Sequence, residues 1–160
     1  TAGFATPFLT TLGKFEMALI PIIGQYYVLA GNILVKRNDK VKAMAAMAKV
    51  ERHLIDKKIS VLIFPEGHRN KKPELAPFKK GAFYTATRTG LPILPVSIAQ
   101  YSAHKDLNAF KRLTIHIKVH EPIETKELTE KDIPALMETS KLIMEKGISE
   151  VNELSFGKLS

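Results

Sequence analysis

Glu66, His68 and Arg69 carry the densest chemistry in the 160-residue chain, within the run Phe64-Pro65-Glu66-Gly67-His68-Arg69-Asn70. A Lys-rich stretch follows and leads to Pro77-Phe78-Lys79-Lys80-Gly81. The guanidinium of Arg69 offers a planar fork for phosphate, and Glu66 can orient it or accept a bond from a ligand hydroxyl. Such groups need a rigid support. The preceding apolar run, Ile59 to Phe64, reads as a buried strand bounded by a turn signal. Pro65 cannot extend a ladder and Gly67 permits positive φ, so the chain turns sharply there. This sets Glu66, His68 and Arg69 at the carboxyl end of a strand, where open α/β sheets place their ligands. An ordinary strand-to-loop turn with solvated charges would use the same residue types.

Two further blocks stand in order with this one. Upstream are Ile20-Pro21-Ile22-Ile23-Gly24-Gln25 and Gly31-Asn32-Ile33-Leu34-Val35-Lys36-Arg37, and downstream is Leu91-Pro92-Ile93-Leu94-Pro95-Val96-Ser97. The three blocks, covering about residues 20 to 100, together resemble the second, third and fourth sequence blocks of the 1-acyl-glycerol-3-phosphate acyltransferase family of glycerolipid acyltransferases. His68 and Asn70 depart from that family's usual Thr-Arg-Ser, and Lys36 stands where it often has Asp.

The family's first block, His-x4-Asp, is absent: the residues five positions after the five His are Lys58, Pro73, Ala109, Glu121 and Thr125. We therefore expect a single acyltransferase-like domain over residues 1–160 that is incomplete at its N-terminus, with no catalytic residue of its own. The alternative is a natural chain without the pair, a non-catalytic binder of lipid phosphates. The resemblance implies transfer of a fatty acyl group from acyl-CoA or acyl carrier protein to lysophosphatidate, giving phosphatidate. Another lysophospholipid or glycerol 3-phosphate could be the acceptor. By the same resemblance, Arg37 and Arg69 hold the acceptor phosphate, Glu66 and Gly67 shape the turn, and Lys79 supports the charge. No cofactor is implied beyond the acyl donor, which is a substrate. Leu19, Ile20, Ile22 and Ile23 either lie under the acyl chain or simply fill the core.

The net charge of +8 is uneven. Residues 36–80 hold 13 Lys and Arg against 5 Asp and Glu, and the rest of the chain cancels. A basic segment can serve nucleic acid, anionic lipid or a phosphorylated small molecule. With no aromatic platform, zinc finger or recognition-helix motif beside it, an anionic membrane surface on the cytoplasmic face is the expected partner and nucleic acid is not. With no Cys there is no disulfide, thiol chemistry or Cys-based metal site. The five His lack metal-ligand spacing, and His116 and His120 are expected on the polar face of a strand. No uninterrupted apolar run reaches the length of about 18 to 20 that spans a bilayer.

The elements expected to position these groups alternate. A strand over Tyr26–Val35 leads to Arg37; a helix over Val41–Asp56, capped by Asn38 or Asp39, turns Val41, Met44, Ala48 and Ile55 to one face. Ile59–Phe64 is a strand, Lys79–Thr89 a helix ended by Gly90, and Ile93–Ala99 a strand broken or at an edge at Pro95. Leu113, Ile115, Ile117 and Val119 alternate with polar residues as a half-buried strand. Thr129 with Asp132 caps a helix to about Leu154, with Pro134 in its first turn. This pattern defines an α/β fold with a mixed sheet flanked by helices. Arg37 and Arg69 are expected to end parallel neighbouring strands and so to meet.

Overall fold

The computed structural model describes residues 9–36, 39–68, 70, 72–100 and 114–156. Contacts divide the chain after Gly67 into two compact units. The expected α/β architecture is present, with a parallel sheet in one unit and an antiparallel pair in the other.

In the first unit the order is β1 (Leu9–Lys14), a 3-10 turn (Phe15–Leu19), α1 (Ile23–Leu29), β2 (Ile33–Val35), α2 (Lys40–Asp56) and β3 (Ser60–Leu62). The sheet runs β2-β1-β3, with Gly13 opposite Leu34 and Thr10 opposite Val61 in parallel register. The central strand β1 escaped the sequence reading because two Thr, a Gly and a Lys dilute its apolar signal. Its Thr residues are used structurally. Thr10 is buried and its hydroxyl donates to Gly31 O at 3.1 Å. Thr11 donates from both N (3.0 Å) and Oγ1 (2.9 Å) to Asn32 Oδ1, so its hydroxyl oxygen accepts from Tyr27 OH at 2.6 Å.

That network corrects the strand expected over Tyr26–Val35. Residues up to Leu29 are helical, and only Ile33–Val35 pair in the sheet. Tyr27 lies across Gly13, where a Cβ would stand 2.5 Å from the phenol oxygen. Tertiary packing of this kind overrides the strand propensity of Tyr and Val.

Asp39 caps α2 as expected, accepting from Lys42 N at 3.0 Å. The inward face is the other one, however. Ala43, Ala46, Met47, Val50 and Leu54 pack with Ile33, Val35, Leu12 and Val61. Val50 is 0% exposed, whereas Val41 is 77% exposed and Met44 and Ile55 also face outward. Both stripes have helical spacing, and each carries two Ala residues, Ala43 and Ala46 inward and Ala45 and Ala48 outward, so residue size does not choose between them.

The second unit holds α3 (Gly81–Thr89), β4 (Val96–Ile98), β5 (Ile117–Val119), a 3-10 turn (Glu130–Asp132) and α4 (Ile133–Phe156). Gly90 ends α3 in the left-handed region at φ 65°, and Thr129 and Asp132 form the expected reciprocal cap before α4. β4 and β5 pair antiparallel, an Ile93–Ile123 bridge continues the pairing, and Pro95 lies just before β4, its carbonyl accepting from His120 N at 3.0 Å. Phe78, Phe83, Ile133 and Leu136 make the core, with the two Phe rings stacked at 6.1 Å.

β5 is turned over relative to expectation. Ile115, Ile117 and Val119 are exposed, while His116, Lys118 and His120 face α4 through Ser155, Glu150 and Ser97 with Met144. Leu113 lies outside the described residues.

Candidate functional site

All three strands of the first sheet are parallel, so their carboxyl ends share one rim. Lys36 follows β2 there, and the Pro65–Gly67 turn follows β3. Gly67 N donates to Phe64 O at 3.0 Å, closing a four-residue turn with Pro65 in its second position. Gly67 takes φ 73°, the conformation anticipated from its residue type. Glu66 is half-buried in this turn and His68 is exposed.

The expected adjacency of β2 and β3 is corrected: β1 lies between them. At ordinary strand spacing their ends are about 10 Å apart, too far for one short turn to bridge. Arg37 and Arg69 lie outside the described residues. Lys79 is exposed in the second unit; α3 begins at Gly81 with Lys80 as its cap, so Lys79 precedes the helix instead of opening it. Leu19, Ile20, Ile22 and Ile23 are all exposed, which overturns the core reading for them. Ile22 also takes φ 67°, a strained position for a β-branched residue.

The rim carries a feature that sequence reasoning missed. Phe15, Leu34, Lys36, Lys42 and Ala45 line a cleft of about 300 Å³. Lys42 comes from the first turn of α2 and Phe15 from the residue after β1, and no local pattern links them. Two carboxylates flank the ammonium groups. The Asp39 carboxyl is held below its ordinary range chiefly by the Lys42 backbone N–H, and the Lys42 ammonium lies 3.4 Å away. Glu16 is likewise held low, chiefly by its own backbone N–H, with Lys14 and Lys36 adding. An apolar floor beside partly neutralised ammonium groups suits a molecule with an anionic head and an aliphatic part.

Ser97 and His120 form a second polar pair, in the other unit. Ser97 Oγ donates to Met144 O at 3.0 Å, so it accepts from His120 Nε2–H at 2.9 Å. An activated serine needs the opposite polarity, with imidazole accepting the hydroxyl proton. The pair is therefore a structural clasp. Burial first, then Lys118, holds the His120 pKa below its ordinary value. Among the described residues no group of three His, Asp or Glu could hold a metal ion, and no helix is long and apolar enough to cross a membrane.

A parallel sheet with a cleft on its carboxyl rim has the arrangement in which open α/β proteins place ligands. Comparison with known proteins narrows the class. A family model described as Acyltransferase matches residues 4–99. The chain is 34% identical over 152 residues to a 1-acyl-sn-glycerol-3-phosphate acyltransferase of Salmonella typhimurium and 35% identical to that of Escherichia coli. Each match covers 95% of this chain and 62% of the relative. A human relative, 1-acyl-sn-glycerol-3-phosphate acyltransferase beta, is 35% identical over 80% of the chain and 47% of its own length. The crystal structure of the 1-acyl-sn-glycerophosphate acyltransferase of Thermotoga maritima superposes with a TM-score of 0.65 at 26% identity, covering 88% of this chain and 56% of that one. The chain belongs to the acyltransferase family. It spans about three-fifths of the length of the bacterial relatives, 62% in each case.

Proposed function

We propose that the chain is part of an enzyme that transfers a fatty acyl group from acyl-CoA or acyl carrier protein to lysophosphatidate, giving phosphatidate. The observation that carries this reading is the match to relatives of that name along 95% of the chain, at 34% and 35% identity. In the reaction the acceptor hydroxyl oxygen attacks the thioester carbonyl carbon, the C–S bond breaks and the thiol leaves, while a general base takes the hydroxyl proton. That base is assigned to the His of a His-x4-Asp pair, which these 160 residues do not contain. The residues in hand bind and position. Arg37 and Arg69 grip the acceptor phosphate, Glu66 and Gly67 shape the turn beside it, and Lys79 adds charge.

The rim cleft supports this assignment by joining Lys36 and Lys42 to Phe15, Leu34 and Ala45. Exposed Leu19, Ile20, Ile22 and Ile23, together with the basic excess of residues 36–80, support work at an anionic membrane surface on its cytoplasmic face. The second reading, a binder of lipid phosphates without catalysis, requires that no His-x4-Asp pair accompany these residues in the protein.

Thioester consumption dependent on lysophosphatidate separates the two. A protein joining this chain to a His-x4-Asp block should turn over. The purified 160-residue chain should not, because losing a general base costs about 10² to 10⁴ in rate. Within the active protein, Arg69→Ala should raise the acceptor KM about 10- to 150-fold, the equivalent of about 1.5–3 kcal/mol, and leave the donor KM nearly unchanged. Turnover by the 160-residue chain alone would refute the assignment of the base, and an unaltered acceptor KM would make Arg69 a structural residue.

A further inference from the structure

α2 leaves the carboxyl rim and must return the chain to the start of the parallel strand β3, so its last turns lie at the opposite end of the sheet. There Lys49, Arg52, His53, Asp56 and Lys57 line a recess of about 270 Å³. Their spacing puts all five on one stripe of the helix. Three cations face one carboxylate. His53 is only 8% exposed, and its Nδ1 is buried without a hydrogen-bond partner. The charges acting on the imidazole are those of Lys57, Lys49 and Arg52, opposed by Asp56. Burial and then these cations hold its pKa below the ordinary value, so the ring is neutral near pH 7.

Cations at a helix carboxyl end complement its dipole, which accounts for Lys57. The dipole effect fades within the last turn, so it does not account for Arg52 and Lys49, placed one and two turns further back. Nor does a histidine with a buried, unpartnered nitrogen follow from helix stability, since such a group costs free energy.

We propose that this recess is a second anion site, separate from the rim cleft, which takes a phosphate group between Lys49, Arg52 and Lys57 beside the His53 ring. A phosphate supplies the counter-charge that one carboxylate does not, and it favours protonation of the imidazole. The phosphate can come from a soluble ester or from a lipid headgroup, and the chemistry of capture is the same. The site does not depend on the acyl-transfer reading, since it lies at the other end of the sheet and needs no general base.

Histidine side-chain NMR of the protein tests the site in two arms at constant ionic strength. One arm adds inorganic phosphate, and the other adds phosphatidylcholine vesicles with and without phosphatidate. The His53 signals should move saturably, and Arg52→Gln or Lys49→Gln should each weaken the response about fivefold, as expected of an exposed charge pair. Lys36→Gln, at the rim, should leave it unaltered. Movement with inorganic phosphate identifies a soluble ligand; movement with phosphatidate vesicles alone identifies a lipid headgroup. Both stripe variants are on the surface, and an unchanged melting temperature confirms that they remain folded. If His53 moves in neither arm, or moves equally in the Arg52→Gln and Lys49→Gln proteins, there is no site here.

Discussion

Replacing Gly147 by Ala sets two effects of opposite sign against each other. Gly147 lies inside α4, where Ala is favoured over Gly by about 1 kcal/mol from helix propensity alone. The new Cβ, however, would stand 2.5 Å from Ser97 Oγ and closer still to His120 Nε2. Either α4 withdraws from the β4–β5 pair or the clasp opens. Ser97 is 1% exposed, so stranding its hydroxyl costs about 1–3 kcal/mol. The strain of overpacking adds about 1–3 kcal/mol. Taking the lower half of each range, the clash outweighs propensity by about 2 kcal/mol. Urea unfolding followed by circular dichroism should show a lower midpoint at unchanged slope. Truncating His120 to Ala removes the nearest obstacle but leaves Ser97 Oγ at 2.5 Å, so Gly147→Ala should cost less in that background without becoming neutral, with a coupling of about 1 kcal/mol. A Gly147→Ala protein more stable than its parent would refute the close approach of helix and sheet.

Three more outcomes follow from the same physical reasoning. Val50→Ala should cost about 2 kcal/mol, from two lost methyl groups and the space they leave, whereas Val41→Ala should stay within about 0.5 kcal/mol; equal effects in denaturant melts would mean that α2 is turned the other way. Lys58 follows α2 at φ 49°, a left-handed position that favours Gly, so Lys58→Gly should add about 0.5–1 kcal/mol and raise the melting temperature. His53 and His120 both have folded pKa values held below the ordinary 6.5, so their contribution is complete above that value and is lost as pH falls through the folded values. Stability in phosphate-free buffer should therefore decline just below pH 6.5 (about the free His value), before the carboxylates titrate, and His120→Gln should flatten part of that slope.

Local chemistry was legible wherever one residue type decides the backbone. Gly67 and Gly90 at positive φ, Asp39 as a cap, and the Thr129–Asp132 reciprocal cap all follow from side-chain reach and steric freedom over a few positions. The Pro65–Gly67 turn at a sheet rim was legible for the same reason. β1 was not, because a central strand built on Thr10 and Thr11 is stabilised by bonds to Gly31 and Asn32, about twenty residues away. The rim cleft was hidden likewise, since Phe15 and Lys42 meet only through the order of the strands.

Choosing the inward face of an amphipathic element is a harder problem, and it failed twice. α2 carries two apolar stripes, and periodicity ranks them equally. The stripe of Ala43, Ala46, Val50 and Leu54 is the one that packs against Ile33 and Val35, although Ala45 and Ala48 on the other stripe are equally small. On β5 the apolar residues 115, 117 and 119 suggested an inward hydrophobic face, yet the polar residues between them turn towards α4. Gly147 permits that arrangement. Without a side chain there, α4 comes near enough for His120 to reach Ser97, and neighbouring turns bring Glu150 to Lys118 and Ser155 to His116. Each polar group that turns inward finds a partner, which removes the penalty that makes polar faces point outward. Burial on β5 thus follows from what the facing helix offers.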